Sequence, residues 1–202
     1  MESGVNLETA TALAGIAVSM TWTPGPNNAM LSASGANYGW RRSVPHVMGV
    51  GIGFPIMLTL VALGLGRLLN ALPIIVEILS WLGFAMMAWF AWRIATADSA
   101  HGNARSRPLT FFEASVFQWV NPKAWALAIY LTAAYAVGEA AVSNTLLAAS
   151  LFLVSGLASS YTWAVFGAGI GKALKRGWRL RAFNGAMGLL LVSCAVWIML
   201  TQ

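Results

Sequence analysis

The sequence predicts an all-α integral membrane protein with six transmembrane helices, arranged as two inverted three-helix repeats in which proline breaks the first helix of each repeat. Three observations predict this fold class. The chain is 58% hydrophobic and only 9% charged, its apolar residues form six long runs, and its basic residues fall in alternate loops. A soluble domain carries about a quarter charged residues, so this chain has too few to cover a water-facing surface.

Composition also limits the domain count and the classes of partner. The 202 residues allow one transmembrane domain over 1–202 and leave no second, soluble domain. The net charge of +6 is confined to loops, which favours the cytoplasmic loops of a membrane protein over nucleic-acid binding. The single cysteine, Cys194, excludes an intramolecular disulfide framework. His46 and His101 form no ligand cluster, so we expect neither a metal nor a cofactor.

Six apolar runs are long enough to cross a hydrocarbon core of about 30 Å. Proline interrupts the first, the second follows the basic pair Arg41 and Arg42, and the third begins at Pro73. Proline also interrupts the fourth, the fifth follows the turn residue Gly138, and the sixth follows a basic stretch. Glycine, proline and charged residues mark such boundaries. The predicted spans are 9–37, 44–66, 73–96, 110–137, 145–170 and 182–200.

The distribution of basic residues predicts the orientation of these spans. One side of the membrane carries most of the lysines and arginines, whereas the other carries only Arg67. Because cytoplasmic loops are enriched in such residues, the basic side is predicted to be cytoplasmic and both termini to lie outside. Residues 1–4 lack the basic region of a signal peptide, so we expect no removable signal peptide. The basic-side residues are Arg41, Arg42, Arg93, Arg105, Arg107, Lys172, Lys175, Arg176, Arg179 and Arg181.

Weak internal similarity predicts a repeat, with one copy over about 7–97 and the other over about 109–201. Each copy opens with a span that proline interrupts, and each second span ends in a glycine-rich stretch closed by a basic residue, at 64–67 and 169–172. Three spans are an odd number, so the copies would insert in opposite directions. Transporters built in this way place their sites near the bilayer midplane, on broken helices.

The proline breaks predict helix starts inside the membrane. Thr23 can cap a helix with Pro24 in its first turn, or Asn27 can cap one after the second proline. Asn121 can cap a helix that begins at Pro122. The free N–H groups and positive dipole ends of these half-helices would then face the centre and suit a carboxylate. The alternative is that the prolines only kink continuous helices. The amides and the lysine beside them favour a binding site, because buried polar groups without a role are costly.

Lys123 marks the centre of the fourth span. A lysine side chain carries its ammonium only about 6 Å, or roughly four residues of helix rise, toward water. About thirteen residues of the span flank Lys123 on either side, so we do not expect it to reach the surface of a ~30 Å core. A cation at this depth marks a binding or transport site. The predicted substrate-binding residues are Pro24, Gly25, Pro26, Asn27, Asn28, Asn121, Pro122 and Lys123.

The sequence around these residues is distinctive. Residues 23–28 spell TPGPNN, residues 39–43 GWRRS, residues 89–93 WFAWR and residues 117–125 FQWVNPKAW. Together with Gly49 and residues 53–54, they resemble the LysE/RhtB family of amino-acid exporters, in order and over nearly the whole chain. The stretches at 27–28 and 39–43 are most similar to the cysteine/O-acetylserine exporter branch. The resemblance assigns the family motif positions to Pro24, Gly25, Pro26, Asn27, Asn121, Pro122 and Lys123.

The resemblance implies a secondary exporter of the bacterial inner membrane that is driven by the proton gradient, yet no carboxylate lies at the predicted midplane. Glu77 and Glu113 each lie about one turn inside a span, where a helix end or a loop charge is the expected partner. One hypothesis is that Lys123 itself exchanges the proton, because desolvation favours the neutral amine.

The predicted function is export of a small neutral amino acid or derivative, such as cysteine, O-acetylserine, threonine or homoserine, by alternating access. The predicted partners are that substrate, protons and the lipid bilayer, with no nucleic acid. The sequence is compatible with a homo-oligomer and does not fix the oligomeric state. Export of basic amino acids is the alternative, and a central lysine without a midplane acid argues against it. An inorganic-ion exporter would want carboxylates, histidines or thiolates at the midplane, and an intramembrane enzyme would need a nucleophile–base pair. The sequence offers neither pattern.

Overall fold

The computed structural model describes residues 6–65, 73–96, 107–174 and 177–200, and within these ranges the chain is helical with no strand. A short π-helical segment, Val61–Leu65, continues the third helix. Several basic or histidine positions named above, namely Arg67, His101, Arg105, Lys175 and Arg176, lie outside the described residues. The helices are α1 Leu7–Trp22, α2 Pro26–Tyr38, α3 Val44–Leu60, α4 Pro73–Ala95, α5 Phe111–Gln118, α6 Pro122–Tyr135, α7 Ala141–Leu174 and α8 Trp178–Leu200.

Four helical segments of the described chain are long and apolar enough to cross a membrane. They match the second, third, fifth and sixth predicted spans. The first and fourth predicted spans are instead pairs of shorter helices, α1 with α2 and α5 with α6, and none of these four reaches the ~20 residues of a simple crossing. The four long segments are Val44–Leu65, Glu77–Ala95, Ala141–Leu174 and Trp178–Val196.

The break in the first span lies where the prolines predict it, but its caps differ from both expectations. Thr23 is the C-cap of α1, and its N–H donates to the Ser19 carbonyl at 3.1 Å. α2 begins at Pro26, with Gly25 as an extended N-cap that makes no side-chain cap hydrogen bond. The prediction that Thr23 or Asn27 caps the second half-helix is therefore wrong. The Thr23 hydroxyl bonds back to Ser19, and the Asn27 amide bonds across the bundle.

The break in the fourth span follows the prediction. Asn121 is the N-cap of α6, and its Oδ1 accepts a hydrogen bond from the backbone N–H of Lys123 at 3.1 Å. Pro122 is the first helical residue, where its missing N–H costs nothing. A short sequence signal fixes this helix start because all the groups that form the cap are neighbours in the chain.

The two glutamates noted near span ends take different positions. Glu113 completes a capping box with Thr110 at the start of α5, and its carboxylate pairs with Arg107 at 2.6 Å. This pairing confirms the expected loop-charge partner. The hydrogen bond and the charge of Glu113 raise the pKa of Arg107 above its ordinary value. Glu77 is exposed on α4.

Helix α7 is the central element of the bundle, and it packs against α1, α2 and α3, while α8 packs against α4. Glycine makes the contact between α2 and α7 unusually close. A Cβ added to Gly35 would lie 2.0 Å from the Ala164 carbonyl oxygen, and one added to Gly167 would lie 2.0 Å from the Ser32 carbonyl oxygen. The two backbones therefore touch, as small residues allow in membrane helices.

The first half-helix of each interrupted span packs on the second span of the other half of the chain. α1 contacts α7, and α5 contacts α3. A serine hydroxyl bonds a backbone carbonyl in both pairs: Ser159 donates to Thr21 O at 2.7 Å, and Ser115 donates to Gly49 O at 3.1 Å. These contacts bring the two breaks to the same level of the bundle.

Candidate functional site

A cavity of about 570 Å³, counting its open mouth, lies at the two helix breaks. One part of its wall is polar and the other is apolar, as a zwitterion with a small side chain requires. The polar lining is Thr21, Asn27, Asn28, Gln118, Asn121, Lys123 and Ser160, and the larger apolar lining residues are Met20, Val50, Phe54, Leu127 and Phe152.

The structure brings most of the predicted site residues together at this cavity. Gly25, Pro26, Asn27, Asn28, Asn121 and Lys123 line it. The other two predicted residues do not: Pro24 is exposed in the first break, and Pro122 is half-buried at the start of α6. These two prolines shape the breaks rather than the wall of the cavity.

Lys123 joins the two breaks. Its Nζ donates to the Thr23 carbonyl oxygen at 3.1 Å, across from one half of the chain to the other. A Cβ added to Gly25 would lie 3.3 Å from the Lys123 Cδ, so the lysine stem lies directly against this glycine. An ammonium has three donors. After the bond to Thr23, further donors can serve a ligand in the cavity.

Two asparagines hold the ends of the broken helices. Asn28 is buried, and its Nδ2 donates to the Thr21 and Thr23 carbonyl oxygens at 3.0 and 2.9 Å. These two bonds use both donors of its amide, which leaves its oxygen for a ligand. Asn121 uses its oxygen for the α6 cap. Both side chains satisfy backbone groups that the breaks release, as burial requires.

Asn27 forms a reciprocal amide pair with Gln118, a residue to which the sequence analysis assigned no role. The Asn27 Nδ2 donates to Gln118 Oε1 at 2.9 Å, and the Gln118 Nε2 donates to Asn27 Oδ1 at 3.2 Å. Gln118 also donates to the Ala114 carbonyl oxygen at 2.9 Å and is fully buried. Its signal in the sequence was a polar side chain inside an apolar span, three residues before Asn121.

We expect Gln118→Leu to lower the thermal stability of the purified protein. The change leaves the Asn27 amide without its partner, which costs about 1–3 kcal/mol. The double variant Asn27→Leu/Gln118→Leu should recover part of the loss, because neither amide then stays unpaired. The measurement is thermal unfolding in detergent for both variants. A single variant as stable as the wild type would refute the coupling.

Lys123 is the only charged side chain that lines this cavity in the described part of the chain. The first turn of α2 begins at its wall, and its N–H groups lack intrahelical acceptors. In α6, Asn121 already accepts from the first N–H groups, through its side chain and its carbonyl oxygen. Helix N-termini carry partial positive charge that adds to that of the lysine. The site therefore favours a carboxylate over a cation.

Comparison with known families decides the class of protein. The sequence model of the LysE type translocators matches residues 18–202, a range that includes both breaks and the whole cavity lining. This chain belongs to the LysE family. The resemblance found in the sequence is thereby confirmed, and family membership identifies the chain as a membrane transport protein.

Several LysE-family relatives are named cysteine/O-acetylserine efflux proteins. Those of Salmonella typhimurium and Escherichia coli (strain K12) are 33% and 30% identical to this chain over 178 residues. The relative of Salmonella paratyphi A is 32% identical over the same length. Each match covers 86% of this chain and 89% of the relative. No solved structure gives a significant match.

Proposed function

We propose that this chain is a secondary exporter of a small neutral amino acid or derivative in the bacterial inner membrane, with cysteine and O-acetylserine as the first substrates to test. The observation that carries the proposal is the Lys123 ammonium, which lies between two helix breaks in a cavity with a polar and an apolar wall. The names of the relatives support the substrate class, at 30–33% identity.

The cavity provides a partner for each part of an amino acid. The carboxylate binds the Lys123 ammonium and the N–H groups of a helix start, which are the positive groups of the site. The α-amino group binds the Asn28 oxygen, which the two bonds of the Asn28 amide leave free, or the Asn27 oxygen once it leaves Gln118. The side chain lies against Phe54 and Phe152, whose rings pack at 5.1 Å.

A neutral substrate fits this cavity better than a basic one. A basic side chain would bring a second cation beside Lys123, and no carboxylate of the described residues lines the cavity to compensate it. Placing like charges together in a poorly hydrated site is costly. The same argument disfavours an inorganic cation as the cargo.

We propose that transport proceeds by alternating access, and contacts that cross the two halves of the chain support this. The packing of α1 on α7 and of α5 on α3 supports two inverted repeats of three spans each. The external position of the termini rests on the distribution of basic residues. The Lys123–Thr23 bond and the Asn27–Gln118 pair both join one half to the other. A substrate that competes for these groups weakens two polar links between the halves when it binds, which couples binding to movement.

Efflux from loaded cells tests the proposal. Cells expressing the chain are loaded with radiolabelled cysteine, O-acetylserine, threonine, leucine or lysine, and efflux is followed with and without an uncoupler. We expect uncoupler-sensitive efflux of at least one neutral amino acid and none of lysine. Efflux of no amino acid from a correctly inserted protein would overturn the proposal.

The proton-coupling hypothesis has its own variant. Lys123→Arg keeps the positive charge, but a guanidinium stays protonated throughout the working pH range. If Lys123 exchanges the proton, this variant should still bind substrate and should lose its uncoupler-sensitive efflux, because the guanidinium cannot release a proton. Counterflow, which needs no net proton transfer, is the control and should survive. Full proton-driven efflux by Lys123→Arg would remove the lysine from coupling.

A further inference from the structure

A second cavity lies at the end of the bundle near Arg93 and Arg107, on the side that the basic residues predict to be cytoplasmic. It measures about 380 Å³ with its open mouth. α2 lines it with Ser34 and Asn37, more than one turn beyond the central site, and α3 lines it with His46. Neither the family match nor the proposed function assigns this cavity a role.

His46 is the unusual side chain of this cavity. It is only 1% exposed, and its Nδ1 lies 3.3 Å from the Ser34 hydroxyl. Its Nε2 has no hydrogen-bond partner. A buried polar atom without a partner is costly and uncommon. Because His46 lines an open cavity, its unpaired nitrogen points to a ligand that completes the site.

Two arginines line the same cavity, and Arg93 is the one that makes it positive. Arg107 is neutralised by Glu113 through two hydrogen bonds of 2.6 and 2.7 Å. Arg93 donates to the Arg107 carbonyl oxygen at 2.9 Å and lies 5.3 Å from the centre of the Trp89 ring. Within the described ranges no carboxylate pairs with Arg93. A guanidinium has five N–H donors, so Arg93 can keep its present contacts and still bind an anion.

A packed apolar layer separates this cavity from the central one. Met30 lines the second cavity and Val50 the central cavity, and both belong to one cluster with Phe117. The Phe90 ring, which also lines the second cavity, contacts the Phe117 ring edge-on at 5.5 Å. Phe117 directly precedes Gln118 of the central site. An ion cannot cross this layer without movement of the helices.

We propose that the second cavity is an entrance site, in which Arg93 and His46 bind the carboxylate of the amino acid before the apolar layer opens toward Lys123. The identity of the ligand rests on the proposed function, whereas the anion site rests on this cavity alone. When the Ser34 hydroxyl donates to Nδ1, the other ring nitrogen of His46 carries the proton and can donate it. This N–H and the Arg93 guanidinium, which no carboxylate of the described residues pairs with, match a single carboxylate. The site would concentrate substrate on the side from which export starts.

Cysteine protection tests the entrance site directly. The chain has a single cysteine, so a Cys194→Ala background needs one substitution. Tyr38 lines the cavity but is not a proposed ligand, so Tyr38→Cys reports its occupancy. Ala173→Cys, exposed near the end of α7, is the matched control outside the cavity. We expect O-acetylserine or threonine to slow alkylation of Tyr38→Cys several-fold and to leave Ala173→Cys unchanged.

The chemistry of protection identifies the bound group. The amines that lack the carboxylate, O-acetylethanolamine and 1-amino-2-propanol, should not protect Tyr38→Cys. Arg93→Gln and His46→Leu, which remove the charge and the ring donor, should abolish protection, and Arg93→Lys should keep part of it. Lys123→Ala should leave protection intact, because it alters only the central site. Protection that survives Arg93→Gln but is lost in Lys123→Ala would place the ligand in the central cavity and overturn the entrance site.

The remaining outcomes separate this inference from the exporter proposal. No protection by either amino acid, or equal protection by the amines or by phosphate, overturns the entrance site whatever the efflux result. Amino-acid efflux without protection of Tyr38→Cys supports the exporter proposal and overturns the entrance site. Protection with the predicted variant pattern but no efflux of any amino acid supports the carboxylate site and overturns the exporter.

Discussion

Lys123→Ala should abolish export while the protein still inserts and folds. In the proposed site Lys123 pairs with the substrate carboxylate, and removing one partner of a buried charge pair costs about 2–5 kcal/mol, which corresponds to a loss of roughly 30-fold to several thousand-fold. The alanine also removes the bond to the Thr23 carbonyl, the direct link between the two breaks. The effect should fall on substrate binding and on movement together. The loss is measured as the rate of radiolabelled efflux relative to the wild type, at equal amounts of membrane-inserted protein.

Lys172→Ala is the matched control for this change. Lys172 is exposed in the last turn of α7 and lines neither cavity. Lys172→Ala removes one positive charge from a helix, as Lys123→Ala does, but it changes neither cavity. Efflux by the Lys172→Ala variant should therefore remain near that of the wild type. Normal export by Lys123→Ala would remove the lysine from the mechanism and leave the cavity without its principal anion-binding group. Equal loss in both variants would instead point to a general effect of charge on insertion.

The parts of this molecule that the sequence predicted are those fixed by neighbouring residues. The start of α6 can be predicted from Asn121 and Pro122 alone, because the cap joins groups two residues apart. The long helices can be predicted because their apolar runs are long enough to cross the membrane. Lys123 was placed at the centre because a lysine side chain is too short to leave the middle of a span.

Long-range pairing accounts for what the sequence did not predict. Gln118 and Asn27 are 91 positions apart, and nothing near either residue says that their amides meet. The cap predicted at Asn27 was wrong for the same reason, whereas Thr23 is a C-cap because its own N–H and hydroxyl bond to Ser19. In the structure the Asn27 amide pairs with Gln118 instead of capping α2. Gly25 is the N-cap residue. The lysine stem that lies against Gly25 comes from the other half of the chain.

The close contact between α2 and α7 leads to the second large effect, the loss of folded protein in Gly167→Ala. The added Cβ would lie 2.0 Å from the Ser32 carbonyl oxygen, a backbone atom that cannot rotate away as a side chain can. α2 must therefore move from α7, at an overpacking cost of about 1–3 kcal/mol or more. Asn27 and Asn28 lie on α2, so the movement should also disturb the central cavity. We expect a lower thermal midpoint and a severe loss of efflux.

Gly169→Ala provides the comparison that isolates this contact. Gly169 lies two residues further along the same helix, and a Cβ added there meets nothing within 4 Å. Both changes add one methyl group and the same helix propensity to α7, so only the contact with α2 differs between them. Gly169→Ala should be as stable and as active as the wild type. If both variants behave alike, the close approach of the two helices does not position the site, and the site must depend on the breaks themselves. If only Gly167→Ala fails, α7 holds α2 and with it the amides that face the substrate, so transport depends on a helix contact that contributes no group to the ligand.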